Sequence, residues 1–130
     1  MTIFTRDQLS NVHDFEKLEV DVTEWGAIDP DTGKRQKTTL FVRELTAKER
    51  DQFEASLYTG RGHKREYNPK HVRARLAIAT CCDADGKPIF LPEDLDWLSS
   101  KPVRVINRIY EAAVKLNGLS DADEEELVKN

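Results

Sequence analysis

The stretch Leu40-Phe41-Val42-Arg43-Glu44-Leu45, followed at once by Thr46-Ala47-Lys48-Glu49, predicts a β-strand that passes into an α-helix without a linker. Alternation places Leu40 and Val42 on one face of the strand and Phe41 and Arg43 on the other. The Thr46 hydroxyl can accept from the Glu49 amide while the Glu49 carboxylate accepts from the Thr46 amide. This capping box would satisfy two donors that a helix start otherwise leaves unpaired.

An earlier strand is predicted to form a hairpin with this one. Leu18, Val20 and Val22 alternate with polar residues in a pattern that ends at Trp25-Gly26. Residues 29–33, Asp-Pro-Asp-Thr-Gly, have the composition of a turn, and alternation resumes at residue 38. We therefore predict an antiparallel hairpin over residues 17–45. Residues 1–15 show no periodicity, and we expect them to be irregular.

Helical spacing and cap residues predict four helices after the hairpin. They begin near Thr46, Pro69, Pro92 and Pro102. The second should close before Asp83, with Cys81 and Cys82 at its end as small hydrophobic residues. The last should stop at Asn117-Gly118, since glycine commonly ends a helix.

These elements predict an α+β fold that is mainly helical, with an N-terminal antiparallel β-hairpin followed by about four α-helices. The 130 residues suffice for one core. We expect a single domain over residues 17–119, a flexible N-terminus over residues 1–16 and an acidic, mobile C-terminal tail over residues 120–130. The predicted core residues are Leu18, Val20, Trp25, Val42, Phe53, Leu57, Leu76, Leu98, Ile106, Ile109, Ala113 and Leu116.

Composition points to a soluble protein of the cytoplasm. Charged residues make up 34% of the chain and the mean hydropathy is -0.64, which is polar but compatible with a core. No apolar run approaches the roughly 20 residues of a membrane span. Arg6 and Asp7 stand where a signal peptide needs an apolar stretch. Adjacent cysteines rarely form a disulfide, so Cys81 and Cys82 favour a reducing compartment.

The chain offers little catalytic or metal-binding chemistry. His63, His71, Cys81 and Cys82 match no zinc-site spacing. Most acidic residues fall in predicted loops or on outer helix faces, where a carboxylate is solvated and poorly suited to proton transfer. The sequence Gly60-Arg61-Gly62 lacks the preceding strand and following lysine of a phosphate-binding loop. We expect no enzymatic activity, no cofactor and no metal.

A basic stretch stands out against a net charge of -4. Residues 61–75 contain six Lys or Arg and one Glu, whereas residues 7–29 and 121–126 are acidic. With Tyr58 and Tyr67 nearby, these cations could contact phosphates and bases of a nucleic acid. They could instead contact acidic segments of a second copy of the chain. We expect the latter, because the chain has acidic segments of its own. Such a head-to-tail contact would build a ring or spiral.

The order of short motifs from Trp25 onward resembles the tail assembly chaperones of long-tailed bacterial viruses. The resemblance covers about four-fifths of the chain, and no single motif in it is catalytic. The motifs are Trp25-Gly26, Val42-Arg43-Glu44-Leu45-Thr46 running into Glu49-Arg50-Asp51-Gln52-Phe53-Glu54, Val72-Arg73-Ala74-Arg75-Leu76, Asp85-Gly86-Lys87-Pro88-Ile89-Phe90, and Ile109-Tyr110-Glu111-Ala112-Ala113 with Leu116-Asn117-Gly118-Leu119. The chain departs from the family in the basic insertion at residues 60–66.

The resemblance implies a non-enzymatic protein of the host cytoplasm that is absent from the mature virion. Such a protein coats the tape measure protein, keeps it soluble and recruits tail tube subunits. Amphipathic helices such as the predicted last one could cover the apolar faces of a tape measure. We predict that partner binding involves Arg61, Lys64, Arg65, Arg73, Arg75 and Tyr110.

Two alternatives remain open from the sequence. One is a small nucleic-acid-binding regulator that uses the basic loop at residues 61–75. The other is a different component of phage head-tail morphogenesis, such as a connector. A very long helical reading frame directly downstream of the gene would favour the chaperone.

The resemblance also generates a prediction about the end of the gene. In the family, a fraction of ribosomes changes frame there and makes an extended form. Lys129-Asn130 permits the codons AAA-AAC, on which a tRNA can re-pair after slipping back one base. The hypothesis is that this run occurs in the gene and that the intact locus gives two products, with the acidic tail as a linker. The alternative is that Lys-Asn stands there by chance, as in many proteins. An AAG codon at position 129 without another slippery run, or a single product, would contradict the prediction.

Overall fold

The computed structural model describes residues 2–13 and 15–119; the predicted acidic tail and Lys129-Asn130 lie outside the described residues. The α-helices are α1 (Arg6–Ser10), α2 (Ala47–Ser56), α3 (Val72–Thr80), α4 (Leu95–Ser99) and α5 (Val103–Leu116). The strands are β1 (Lys17–Asp21), β2 (Thr39–Arg43), β3 (Tyr58–Thr59), β4 (Glu66–Tyr67) and β5 (Cys81–Cys82). Four helices follow the N-terminal antiparallel hairpin, and the predicted α+β fold class is confirmed. The predicted domain limits, residues 17–119, stay a prediction.

The predicted hairpin forms two strands of a three-stranded sheet, in which β2 is the central strand. Strand β1 pairs antiparallel with β2, so that Val20 lies opposite Leu40. Val20, Leu40 and Val42 are buried, as the alternation predicts. Strand β5 pairs with the other edge of β2, placing Cys81 opposite Val42. The prediction that Cys81 and Cys82 end a helix is therefore wrong: α3 stops at Thr80, and the two cysteines complete the sheet.

The predicted capping box at the start of α2 is confirmed, but the strand does not pass directly into the helix: β2 ends at Arg43, and Glu44 and Leu45 precede the cap residue Thr46. The Glu49 amide donates to the Thr46 hydroxyl at 3.0 Å, and the Thr46 amide donates to the Glu49 carboxylate at 2.9 Å. The Arg43 guanidinium binds both oxygens of the same carboxylate, at 2.9 and 2.6 Å. Chiefly because of this guanidinium, the pKa of Glu49 is lowered from 4.5 to about 2. Asn117, at the end of α5, accepts from the Leu45 amide at 2.7 Å and ties the junction to the last helix.

Helix α3 lies at the centre of the core and packs against α5, α4, α2 and β2. Most predicted core residues are buried: Val20, Val42, Phe53, Leu57, Leu76, Leu98, Ile106, Ile109 and Ala113. Trp25 and Leu116 are partly buried against the core, whereas Leu18 is partly buried outside that cluster. Val22, Ala74, Ala77 and Phe90 are among the core residues that were not predicted.

The end of β1 is held to α5 by an ion pair. Both carboxylate oxygens of Glu24 bind Arg108, at 3.0 and 2.7 Å, and Arg108 also donates to the Asp21 carbonyl at 2.7 Å. Arg108 lowers the pKa of Glu24 to about 2. These contacts help to fix the position of α5 relative to the sheet.

Within the described residues, no helix is long and apolar enough to cross a membrane.

Two local predictions are wrong. Residues 6–10 form helix α1, in which Thr5 and Gln8 make a capping box, so residues 1–15 are not irregular throughout. Helix α3 begins at Val72 and not at Pro69. The Asn68 side chain accepts from the Lys70 amide at 3.1 Å in a turn, and His71 then adopts a left-handed conformation with φ 59° before the helix starts.

The core assignment predicts the effect of a buried charge. Leu76 is 0% exposed, so Leu76→Asp should cost several kcal/mol and lower Tm by on the order of 10 °C or more. The matched control is Ile28→Asp, because Ile28 is 55% exposed. The control should stay within about 0.5 kcal/mol of the parent. Equal Tm values for the two variants in thermal unfolding would contradict the core assignment.

The Arg43–Glu49 pair predicts a pH dependence of stability. Because folding lowers the pKa of Glu49 to about 2, the contribution is present above pH 4.5 and is lost as pH falls toward 2. Glu49→Gln should therefore cost about 1 kcal/mol near neutral pH, after allowance for partial exposure, and progressively less toward pH 2. Denaturant unfolding at several pH values measures this difference. Glu19→Gln, at an exposed residue of β1, is the control and should show no such trend.

Candidate protein-binding surface

The basic segment between α2 and α3 is a small β-ribbon. Tyr58 and Thr59 of β3 pair with Tyr67 and Glu66 of β4, and a 3-10 turn at Gly62–Lys64 connects them. Gly60 has φ +83°, and a Cβ there would lie 2.3 Å from the Lys64 carbonyl oxygen. A side chain at position 60 would therefore clash with the ribbon backbone. This requirement fixes the turn that presents the cations, and we call residues 58–67 the basic hairpin.

Aromatic side chains brace the hairpin. The Tyr58 and Tyr67 rings meet edge to face with centroids 5.8 Å apart. The Arg65 guanidinium lies over the Tyr58 ring, 4.0 Å from its centroid, in a cation–π contact. The Asn68 amide donates to the Leu57 carbonyl at 2.5 Å and closes the hairpin against the end of α2. These contacts fix the conformation of the hairpin.

The cations of the hairpin are exposed, and within residues 2–13 and 15–119 they form no ion pair with a carboxylate. Arg61, Lys64 and Arg65 are all exposed. The ion pairs within residues 2–13 and 15–119 use other cations, namely Arg43, Arg50, Arg104 and Arg108. With Arg61, Lys64 and Arg65 against Glu66, the hairpin has a net positive charge, which attracts acidic groups over distances near the Debye length.

The structure distributes the remaining predicted residues over two sides of α3. The Arg73 guanidinium lies 5.4 Å from the Tyr110 ring centroid and donates to the Asn107 side chain at 3.1 Å, so it faces α5. Arg75 donates to the Ser56 carbonyl at 2.8 Å, so it faces α2. Residues two apart on a helix point about 200° apart, which explains the separation. The predicted set is thus not one cluster around the hairpin.

Arg75 borders a feature that the sequence did not predict, an apolar groove between α2 and α3. Its volume is about 530 Å³, within the range of pockets that hold ligands or side chains. The lining residues are Glu49, Gln52, Phe53, Ser56, Arg75, Ile78, Ala79, Pro92 and Leu95. Arg75 lies at the Ser56 end of α2, and Glu49 lies two turns away, near the start of that helix. We call this feature the α2–α3 groove.

One sequence signal could have pointed to the groove. The sequence Leu76-Ala77-Ile78-Ala79 makes the last turn of α3 apolar on all sides. Such a turn is expected to be buried by contacts on every side. Leu76 and Ala77 are completely buried by the rest of the chain. Ile78 and Ala79 are only partly covered and line the groove. An apolar helix with one incompletely covered side is the physical signature of a contact surface.

The two buried cysteines have thiols of low reactivity. Burial raises the pKa of Cys81 to about 12, and burial also raises the pKa of Cys82. Both thiols are therefore protonated near neutral pH and poor nucleophiles. The described residues contain no group of three or more His, Cys, Asp or Glu side chains arranged to hold a metal ion. The features left to explain are contact surfaces: the basic hairpin, Arg73 with Tyr110, and the α2–α3 groove.

Comparison with known proteins finds similarity to solved structures but not to a protein-family model or a curated protein. No protein-family model matches the chain, and no curated protein matches it. Among solved structures, the tail assembly chaperone of bacteriophage HK97 matches with a TM-score of 0.54 and 20% sequence identity. The alignment covers 88% of this chain and 95% of that chain. This chain therefore has the fold of the bacteriophage HK97 tail assembly chaperone.

Proposed function

We propose that the protein is a phage tail assembly chaperone without enzymatic activity. Its partners are the tape measure protein, which it coats and keeps soluble, and the tail tube protein, which it recruits. It acts in the host cytoplasm and is absent from the mature virion. The fold shared with the HK97 tail assembly chaperone over 88% of the chain is the observation that carries this proposal.

The surface of the chain supports a binding role. An apolar groove lined by Phe53, Ile78 and Leu95 can accept apolar side chains of a helical partner. Trp97 and Val103 are 46% and 61% exposed and add apolar surface near the start of α5. Tape measure proteins are long helical chains, and covering their apolar faces requires surfaces of this chemistry. Within the proposal, many copies act together along one tape measure.

Self-association into a ring or spiral is part of the proposal. The exposed cations of the basic hairpin have acidic counterparts on the first strand, where Glu19 and Asp21 are exposed. The two surfaces are different, so a contact between them is heterologous and propagates from copy to copy. Such an assembly would present one chaperone after another along an elongated partner.

Co-expression tests the chaperone role. The gene product should be expressed with the very long helical protein encoded directly downstream, carrying an affinity tag. We expect the soluble yield of the long protein to rise severalfold and the chaperone to copurify with it. The Leu76→Asp variant, which we expect to be strongly destabilised, is the negative control and should give a much smaller increase. An unchanged yield and no copurification with the folded parent would overturn the proposed function.

Self-association should depend on salt. Replacing Arg61 and Lys64 by Glu should weaken it by roughly threefold to tenfold, since each exposed ion pair contributes about 0.2–1 kcal/mol. Raising the salt concentration should weaken the parent assembly in the same direction. Lys48→Glu reverses one charge at an exposed residue of α2 and is the control. Light scattering that finds a monomer at high protein concentration, at every salt concentration, would exclude this part of the proposal.

A nucleic-acid-binding regulator is less well supported by the hairpin geometry. A base would stack on an open tyrosine face, but Arg65 lies over the Tyr58 ring and Tyr67 meets the same ring edge to face. A gel shift at low salt separates the two functions. Binding that falls steeply with salt and is lost in the Arg61→Glu, Lys64→Glu variant would favour the regulator over the chaperone.

A further inference from the structure

The N-terminal arm, which we define as residues 2–13, is folded locally and exposed; at its end, His13 lines a surface pocket together with Asp85 and Gly86 of the body. Every residue of the arm is exposed. Helix α1 has a complete capping box and no buried residue. A single isolated turn of helix is marginal in water, because the first turn fixes several residues for few hydrogen bonds. The arm therefore has the character of a segment that gains its stability from a contact outside its own copy.

The arm also concentrates exposed apolar surface. Ile3, Phe4, Leu9 and Val12 are 79%, 54%, 58% and 46% exposed. Leu9 and Val12 are three residues apart, and the Val12 amide donates to the Leu9 carbonyl at 3.2 Å. Their side chains therefore lie on one side of the continuing turn. Apolar side chains grouped on one short exposed segment are typical of a docking element.

The α2–α3 groove has the complementary shape and chemistry. It is concave and apolar along Phe53, Ile78 and Leu95, and no residue of the arm lines it in the same copy. The arm leaves the body at Phe15, whose ring lies 5.9 Å from the Arg43 guanidinium. Every residue of the arm is exposed in its own copy, so its apolar side chains are accessible to another molecule. A second copy is thus the occupant that the geometry favours.

Charge complementarity supports the same occupant. The groove ends at Ser56 and Arg75, and the basic hairpin begins two residues after Ser56. The chain that follows the arm is acidic, with Glu16 and Glu19 exposed. An arm seated with Leu9 and Val12 in the groove would therefore bring these carboxylates toward the cations of the hairpin. The apolar and the charged contacts can belong to one interface.

We propose that the N-terminal arm of one copy inserts Leu9 and Val12 into the α2–α3 groove of a second copy. This inference rests on the self-association included in the proposed function and assigns its docking surface. The contact is head to tail, because the arm and the groove are different surfaces of each copy. Each added copy leaves one free arm and one free groove for the next.

Cross-linking between two variants tests the inference. Leu9→Cys and Gln52→Cys place exposed thiols on the arm and on the groove, while the native Cys81 and Cys82 are 1% and 0% exposed and shielded from reagent. The two variants are mixed and treated with a short bismaleimide. We expect a cross-linked dimer in the mixture. The control mixture pairs Gln52→Cys with Ile28→Cys, whose parent residue is 55% exposed in the β1–β2 connection. It should give no dimer above background.

A second measurement keeps the outcomes distinct. Leu9→Asp alters an exposed residue, so it should leave Tm unchanged while weakening self-association by roughly tenfold or more. Absence of the cross-linked dimer, with salt-dependent association unchanged in Leu9→Asp, would overturn the arm contact and leave the proposed function standing. A cross-link formed only within a chain carrying both cysteines would also overturn it, because the arm would then cover its own groove. Loss of tape measure binding with the dimer retained would contradict the proposed function alone.

Discussion

The short connection between β2 and α2 is the constraint on which the rest of the structure depends. Glu44, Leu45 and the cap residue Thr46 separate the two elements, so the direction of the strand closely limits the direction of the helix. The Glu49 carboxylate accepts from the Thr46 amide and binds Arg43, so one side chain caps the helix and ties it to the strand. Asn117 adds the end of α5 to the same junction. The far end of α2 is thereby positioned, and both the basic hairpin and one wall of the groove follow from it.

Helix α3 lies between two surfaces of the protein, one toward α2 and one toward α5. It contacts α2 on one side and α5 on another, and Leu76 and Ala77 are buried between them. Because residues two apart point to different sides of a helix, Arg73 lies against Tyr110 and Arg75 lies against Ser56. A basic run that is continuous in sequence is consequently divided in space. Partner contacts at Arg73 and at Arg75 involve different faces of the protein, and a single partner surface would have to wrap around α3 to reach both.

The features predicted correctly from the sequence are those specified by local chemistry. The capping box at Thr46 and Glu49 and the alternation around Val42 involve residues within a few positions of each other, and both are confirmed. The strand at Cys81 was not predicted because it depends on pairing with β2, which lies far away in the sequence. Its two residues are also too few to show a periodic pattern.

The start of α3 was missed for a different reason, a competing local interaction. Asn68 and Pro69 have the residue types of a helix start, but the Asn68 side chain is used in a turn that brings the chain back from the hairpin. The position of the groove and the exposure of the arm's apolar side chains were not predicted from the sequence. Both depend on which apolar residues the tertiary packing leaves uncovered, and periodicity identifies an apolar side chain without identifying its neighbour.

The distribution of charge separates the interactions that hold the fold from those available to partners. In the described part of the chain, the paired cations bind Glu24, Glu49 and Glu54, which lie at the junctions of elements or along α2. The hairpin cations have no such carboxylate and stay hydrated, so they cost little to expose and act over a longer range. Long-range attraction mainly raises the rate of encounter, whereas buried apolar contacts lengthen the life of a complex. The exposed cations and the apolar groove can therefore affect different steps of an interaction, because charge mainly changes the rate of encounter and apolar contact mainly changes the lifetime of the complex.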